Sequence, residues 1–355
     1  MTRPIRAIVH RAALVNNLLV ARQAAPTTKI MSVVKANGYG HGLLRVARAL
    51  EDSDGFAVLN IDEAVRLREA GFTQPILLLE GVFESGELNV VSDLGLSIVV
   101  HSIEQIEMLK RGWSPVRLNV FLKINTGMNR LGFTPDTFPA ALAALQACSI
   151  VGTITLMTHF ATADEASGVS DQLACFNALT QHLSLPRSLA NSAACLRYPE
   201  THGDWVRPGI MLYGASPMTS QRADDLGLQA TMSLVSEIIG VQNVKRGEPV
   251  GYGGTYRAES DMRIGIVACG YADGYPRHAA TGTPILVMGQ RTRTLGRVSM
   301  DMLAVDLGNV PAAIVGSPVI LWGEGIAVEE VARSAGTISY ELLCARAERV
   351  PVVER

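Results

Sequence analysis

"KIMSVVKANGYGHG", residues 29–42, decides how the rest of the chain is read. Apolar and β-branched residues run from Ile30 to Val34 and stop on Lys35, and a small, polar, glycine-rich segment follows at once. The first half predicts a buried strand and the second a tight turn. A lysine at that junction either snorkels to solvent or presents its amine to a site at the strand's end.

The same theme repeats outward from this stretch. Strand-like runs recur as "GFAVLN" (55–60), "PILLLEG" (75–81), "LSIVVHS" (96–102), "LNVFLKIN" (118–125), "GTITLMTHF" (152–160), "RSLANS" (187–192) and "DWVRPG" (204–209). Between them lie amphipathic helical patterns such as "LLRVARALE" (43–51), "DEAVRLREAG" (62–71) and "IEQIEMLKRG" (103–112). Eight strands alternating with helices predict an α/β fold, a (β/α)8 barrel, which takes about 250 residues. Near-continuous apolar strand interiors suit parallel strands covered on both faces. A doubly wound open sheet competes, but nothing in it requires closure at eight.

From residue 231 the texture changes. "GIVACG" (265–270), "TPILVMGQRTRTLGRVSMDMLAVDL" (283–307) and "GSPVILWGEG" (316–325) are strand-like runs punctuated by Gly and Pro. We therefore expect residues 1–230 to form the barrel and residues 231–355 a mainly β domain.

Composition narrows the partners. The 355 residues carry a net charge of −2, with 31 Lys and Arg against 33 Asp and Glu, so no basic field attracts nucleic acid. No run reaches the roughly 18 apolar residues that span a bilayer, and "MTRPIRAIVHRAALVNNLL" (1–19) is too interrupted by Arg and His for a signal peptide. The five cysteines lack CxxC spacing and read as small buried hydrophobes in a reducing, cytoplasmic setting. No metal site is expected.

Active sites of such barrels gather at the C-terminal strand ends, which here carry Lys35, Asn60, Glu80, His101, Lys123, His159, Asn191 and Ser192. Burial lowers a lysine's pKa from its usual ~10.4 and makes it a neutral amine able to condense with an aldehyde. Arg207 in "DWVRPGI" (204–210), the following NH groups and Ser192 in "NSAA" (191–194) suit an anion at the ends of strands seven and eight. An aldehyde bearing a phosphate fits both features, and pyridoxal 5'-phosphate is such a molecule.

Six motifs in order, "VVKANGYGHG" (33–42), "NTGMNRLGF" (125–133), "DWVRPGIMLYG" (204–214), "VGYGGTY" (250–256), "ACGYADGYPR" (268–277) and "GRVSMDM" (296–302), together resemble the alanine racemases over nearly the whole chain. The "MTRPI" opening and the short length resemble the catabolic bacterial form. The resemblance implies an isomerase interconverting L- and D-alanine, in a homodimer with shared active sites and pyridoxal 5'-phosphate as cofactor. Lys35 would be the Schiff-base lysine and the base for D-alanine. Tyr252, supplied by the other subunit, would be the base for L-alanine; a phenol has a pKa near 10 and needs help in that role. Inverting a centre requires a base on each face, which is why two are needed.

The other roles follow the same resemblance. His159 would stand near the cofactor ring and Arg207 would face its pyridine nitrogen. Because a guanidinium keeps its proton, the ring stays a weak electron sink and transamination is disfavoured. Tyr39, Ser192, Gly209, Ile210 and Tyr340 would bind the phosphate. Arg130 would contact the substrate carboxylate and the cofactor's phenolic oxygen, Met300 would add a backbone N–H, and Tyr271 would line a narrow access channel. Lys123 matches a lysine that some members carry as a carbamate, for which chloride is a substitute. Gly38 stands where many relatives have alanine and is expected to loosen the turn; Ser299 stands where some have cysteine.

Three other functions share parts of this pattern. A same-fold decarboxylase would carry a cysteine and an aspartate from the partner subunit where this chain has "GYGGTY" and "SMDM". A single-barrel carrier of the cofactor would lack the β domain. A broad-specificity amino acid racemase would differ in pocket width, which sequence does not give.

Overall fold

The computed structural model describes residues 3–355. Eight parallel strands close into a barrel: β2 (Lys29–Val33), β3 (Gly55–Val58), β4 (Ile76–Leu78), β5 (Ser97–Val100), β6 (Leu118–Lys123), β7 (Val151–Met157), β8 (Arg187–Ser188) and β9 (Trp205–Val206). Closure is made by β9 pairing β2, with Lys29 opposite Trp205 and Ile30 opposite Val206. β3, β4 and β5 are buried at every position, as strands between a filled barrel and a helical jacket must be. Asn60 and Ser102 cap the helices Ile61–Glu69 and Ile103–Arg111 through the N–H groups of Glu63 and Gln105, so each strand end also starts the next helix.

The predicted strands are all present, but several are shorter than the apolar runs. β2 stops at Val33, two residues before Lys35. The runs 187–192 and 204–209 supply only two-residue strands, so Arg207 lies just past β9 rather than within it. Hydrogen bonding nevertheless continues there, from Arg207 N–H to Ala190 O (2.9 Å) and from Val33 N–H to Pro208 O (3.0 Å).

The second unit is a sheet around the long strand β10 (Met232–Val244). It is completed by β13 (Met262–Val267), β14 (Pro284–Val287), β15 (Gln290–Leu295), β16 (Leu303–Asp306), β17 (Pro318–Trp322) and β18 (Val352–Glu354), with the small ribbon β11 (Pro249–Val250) and β12 (Tyr256–Arg257) beside it. The eighth strand of the sheet comes from the opposite end of the chain. β1 (Arg6–Val9) lies between β10 and β18, antiparallel to one and parallel to the other, with Ala7 opposite both Leu234 and Val352. Residues 6–9 therefore sit in this sheet and not in the barrel. One continuous apolar core joins the two units, from Phe56 and Val99 in the barrel to Val267 and Trp322 in the sheet.

Among the described residues no helix is long and apolar enough to cross a membrane. The five cysteines form no disulfide; Cys148, Cys195 and Cys269 are buried as expected, but Cys344 is exposed and lines a cavity.

Candidate active site

A cavity of about 620 Å³ opens at the C-terminal ends of the barrel strands. Its wall includes Lys35, Tyr39, Lys123, Arg130, His159, Ser192, Arg207, Gly209, Ile210 and Tyr340. These are residues picked out in the sequence, brought together from six separated segments. Tyr252, Met300 and Tyr271 do not line it. They lie on the β domain and are 70%, 53% and 38% exposed. Asn60 is spent on its helix cap, and His101 Nε2 lies 3.1 Å from the Glu80 carbonyl.

Lys35 is aimed by an unusual piece of backbone. Ala36, Asn37, Gly38 and Tyr39 have φ of 55°, 54°, 60° and 48°, a complete left-handed turn directly after the lysine. For L-residues that conformation costs about 1–2 kcal/mol each, so the surroundings must hold it. Asn37 N–H donates to Glu63 Oε1 (3.1 Å), and the Asn37 side chain accepts from Leu43 N–H (2.9 Å). Gly38 packs against the following helix. A Cβ there would stand 2.8 Å from Val46 Cγ2, so the glycine lets the following helix pack closely.

The side of the cavity around Tyr39 and Ser192 is built by contacts between segments far apart in sequence. The Tyr39 ring stacks on Tyr213 with centroids 4.3 Å apart, and Tyr213 Oη donates to Val33 O (2.9 Å). His41 Nδ1 donates to Tyr39 O at 2.8 Å, burial lowers its pKa to about 4, and Nε2 lies 2.8 Å from Thr231 Oγ1, whose hydroxyl donates to Tyr213 O. Ser192 Oγ accepts from Gly209 N–H (2.8 Å) and Met211 N–H (3.4 Å), which leaves its own proton for an anion in the cavity. A Cβ at Gly209 would fall 2.7 Å from Tyr39 Oη.

Arg207 is buried and fixed: Nη1 donates to Ser188 O and Oγ (2.7 Å each), and Nη2 to Thr158 O (2.8 Å) and Leu189 O (3.2 Å). Nε–H is its one donor nitrogen without an acceptor among the described residues, and the residue lines the cavity.

Charge in the cavity is lopsided. Lys35, Lys123, Arg130 and Arg207 face a single carboxylate, Glu80. Burial, then Arg130, pulls Lys35 below the ordinary lysine value. Burial, then Arg207, Arg130 and Lys35, lowers Lys123 to about 8. The same causes, with Lys123 added, lower His159 to about 3, so it is neutral at any physiological pH. Such an excess of cations over one carboxylate suits anionic occupants. A phosphate and a carboxylate together answer it, so the wall fits pyridoxal 5'-phosphate with an amino acid.

A buried lysine with a lowered pKa at the mouth of a parallel barrel, among three further cations and one carboxylate, defines a barrel enzyme for anionic small molecules. Comparison with known proteins makes the class particular. Residues 9–217 match the family model "Alanine racemase, N-terminal domain" and residues 231–354 "Alanine racemase, C-terminal domain". The chain is 58% identical over 353 residues to the alanine racemase of Nitrosospira multiformis, covering 99% of each. It superposes on the biosynthetic alanine racemase of Pseudomonas aeruginosa with a TM-score of 0.97 at 47% identity, over 100% of both chains. The alanine racemase of Bacillus anthracis with bound L-Ala-P is similar at a TM-score of 0.84 and 30% identity, over 100% of this chain and 96% of that one. The chain belongs to the alanine racemase family and is an isomerase of that family.

Proposed function

We propose that this chain interconverts L-alanine and D-alanine by moving the α-proton between two bases on opposite faces of the substrate. Lys35 Nζ serves the face used by D-alanine, and Tyr252 Oη of a second copy serves the other. The observation that carries this reading is the split of the site residues. Lys35 lies in a cavity lined by four cationic side chains, while Tyr252 stands outside it, 70% exposed on the β domain and available to a neighbour.

The cofactor of this reading is pyridoxal 5'-phosphate, which when bound supplies an aldehyde for the amine and a ring that draws electron density from Cα. Tyr39, Ser192, Gly209, Ile210 and Tyr340 hold its phosphate. Arg207 offers Nε–H to the ring nitrogen without surrendering a proton, which keeps the ring a moderate electron sink and favours return of the proton to Cα. His159, neutral, packs beside the ring. Arg130 holds the substrate carboxylate, joined by the Met300 N–H of the second copy. That N–H has no acceptor within the described residues.

Lys123 is poised for carbamylation. A lysine titrating near 8 offers a neutral amine, and N–C bond formation with carbon dioxide releases a proton and leaves an anion beside Arg130. Chloride is the substitute counter-ion.

The homodimer follows from the same division of residues. We also propose a unit boundary near residue 230, crossed by the strand Arg6–Val9. We take the cytoplasm as the compartment because the fold leaves its cysteines unpaired. The catabolic subtype rests on the opening residues and the chain length. A biosynthetic enzyme of matching extent superposes end to end, so length does not separate supply of D-alanine from breakdown of L-alanine.

Chiral analysis of L-alanine incubated with the purified protein and added pyridoxal 5'-phosphate tests the proposal. An approach to an equal mixture of enantiomers is expected. Cofactor binding without D-alanine would move the activity to another amino acid or to decarboxylation.

A further inference from the structure

We propose that Asp273 is a positioning residue: together with Arg349 it clamps the two loops that carry Tyr271 and Met300, and so sets the substrate-facing edge that one copy lends to the other. The inference rests on the two-copy site proposed above.

Asp273 is fully buried in a loop between β13 and β14, yet both carboxylate oxygens are engaged. Oδ1 accepts from Arg349 Nε (2.8 Å) and Arg3 Nη1 (2.5 Å), and Oδ2 accepts from Gly270 N–H (2.8 Å). The two arginines reach on to the second loop: Arg349 Nη2 donates to Asp301 Oδ1 (2.7 Å), and Arg3 Nη2 donates to the Asp301 carbonyl. Two guanidinium groups thus alternate with two carboxylates across the gap between the loops. The backbones are strapped as well, by Tyr271 N–H to Ser299 O (3.0 Å) and Ala272 N–H to Met300 O (3.0 Å). Gly270 permits that approach, because a Cβ on it would lie 2.3 Å from the carbonyl oxygens of both Ser299 and Met300.

The clamp faces inward and its products face outward. Tyr271 and Met300 sit on the loops so fixed, exposed and outside this copy's cavity. Neither Asp273 nor Arg349 lines that cavity, so both act on the reaction only through the loops they hold. The Met300 N–H is a single donor on a turn of backbone. Its worth to a carboxylate depends on direction, since hydrogen bonds weaken steeply off-line.

Asp273→Asn keeps the volume and one acceptor oxygen but removes the charge that orders both arginines. In the intact holoenzyme the KM for alanine should rise about tenfold, the equivalent of one hydrogen bond to a charged carboxylate. The turnover number should change less, and the affinity for pyridoxal 5'-phosphate should be unchanged. A purely structural ion cluster would instead lower thermal stability and the active fraction, leaving KM at the wild-type value. Asp301→Asn, at the exposed end of the clamp, is the second variant should the first fold poorly, with a smaller rise in KM expected in the same direction. Tyr252→Phe is measured alongside. A wild-type KM in both clamp variants, with Tyr252→Phe impaired, overturns the positioning role alone. An unimpaired Tyr252→Phe overturns the shared site and this inference with it.

Discussion

Glu63 accepts the backbone N–H of Asn37 through Oε1 and that of Leu59 through Oε2, each at 3.1 Å, and so joins the left-handed turn after Lys35 to the mouth end of β3. Its side chain is buried, and removing it orphans two donors. An unpaired buried donor costs about 1–3 kcal/mol. Both donors are only part-buried, so Glu63→Ala should lower stability by about 1–2 kcal/mol in urea unfolding, with loss of cofactor on dialysis. Glu63→Gln keeps one acceptor and should lose roughly half as much. Full retention of both properties in Glu63→Ala would show that the turn holds itself.

Gly209→Ala tests the phosphate cradle. The backbone there has a negative φ of −122°, and the prediction rests on the space a Cβ would take. A Cβ would displace Tyr39 Oη, and the dissociation constant for pyridoxal 5'-phosphate should rise about tenfold, or ~1.4 kcal/mol. Equilibrium titration of the cofactor-free protein reads it directly. Unchanged affinity would remove Tyr39 from the cradle.

Lys123 links charge to stability. Its amine titrates near 10.5 in an unfolded chain and near 8 in the fold. Between those values the unfolded chain holds a proton that the folded one lacks, so stability rises with pH across that window and the full penalty applies below it. Cofactor-free protein should show this slope, and Lys123→Met should flatten it. Bicarbonate, as a source of carbon dioxide, should raise the Tm of the wild type near pH 8 and leave Lys123→Met unmoved. A bicarbonate response in the variant would separate the effect from this lysine.

The two proposed bases make different predictions. Lys35→Ala should abolish the visible absorbance of bound pyridoxal 5'-phosphate, and a persisting band would assign the linkage to another amine. Tyr252→Phe should slow α-proton exchange from L-alanine far more than from D-alanine. Equal losses would argue against a face-specific base.

The barrel was legible because strands buried on both faces write themselves as apolar runs, as "SIVV" of β5 does. Strand ends were less so: Arg207 follows apolar Val206, but only the one-pair contact of Ser188 with Trp205 ends the ladder there. β1 was missed because its partners, Leu234 and Val352, leave no mark on the local pattern of residues 6–9. The cavity residues carried motif signals, whereas the groups that hold them did not. Glu63 reads as one more acidic residue in "DEAVRLREAG", and Asp273 as part of a turn, since neither a paired carboxylate nor a positive φ at Ala36 is visible without the fold.

The strand Arg6–Val9 gives the protein a timetable. It leaves the ribosome before either neighbour, with no partner on one side until Leu234 has been made and none on the other until Val352. At 5–20 residues per second the last of these arrives roughly twenty seconds to a minute later. The barrel's own strands are complete well before that, so the nascent chain carries a finished barrel and a waiting β-strand together. Loss of residues 352–354 would leave that strand's outer edge bare, because its only neighbour on that side among the described residues is made some 340 residues later.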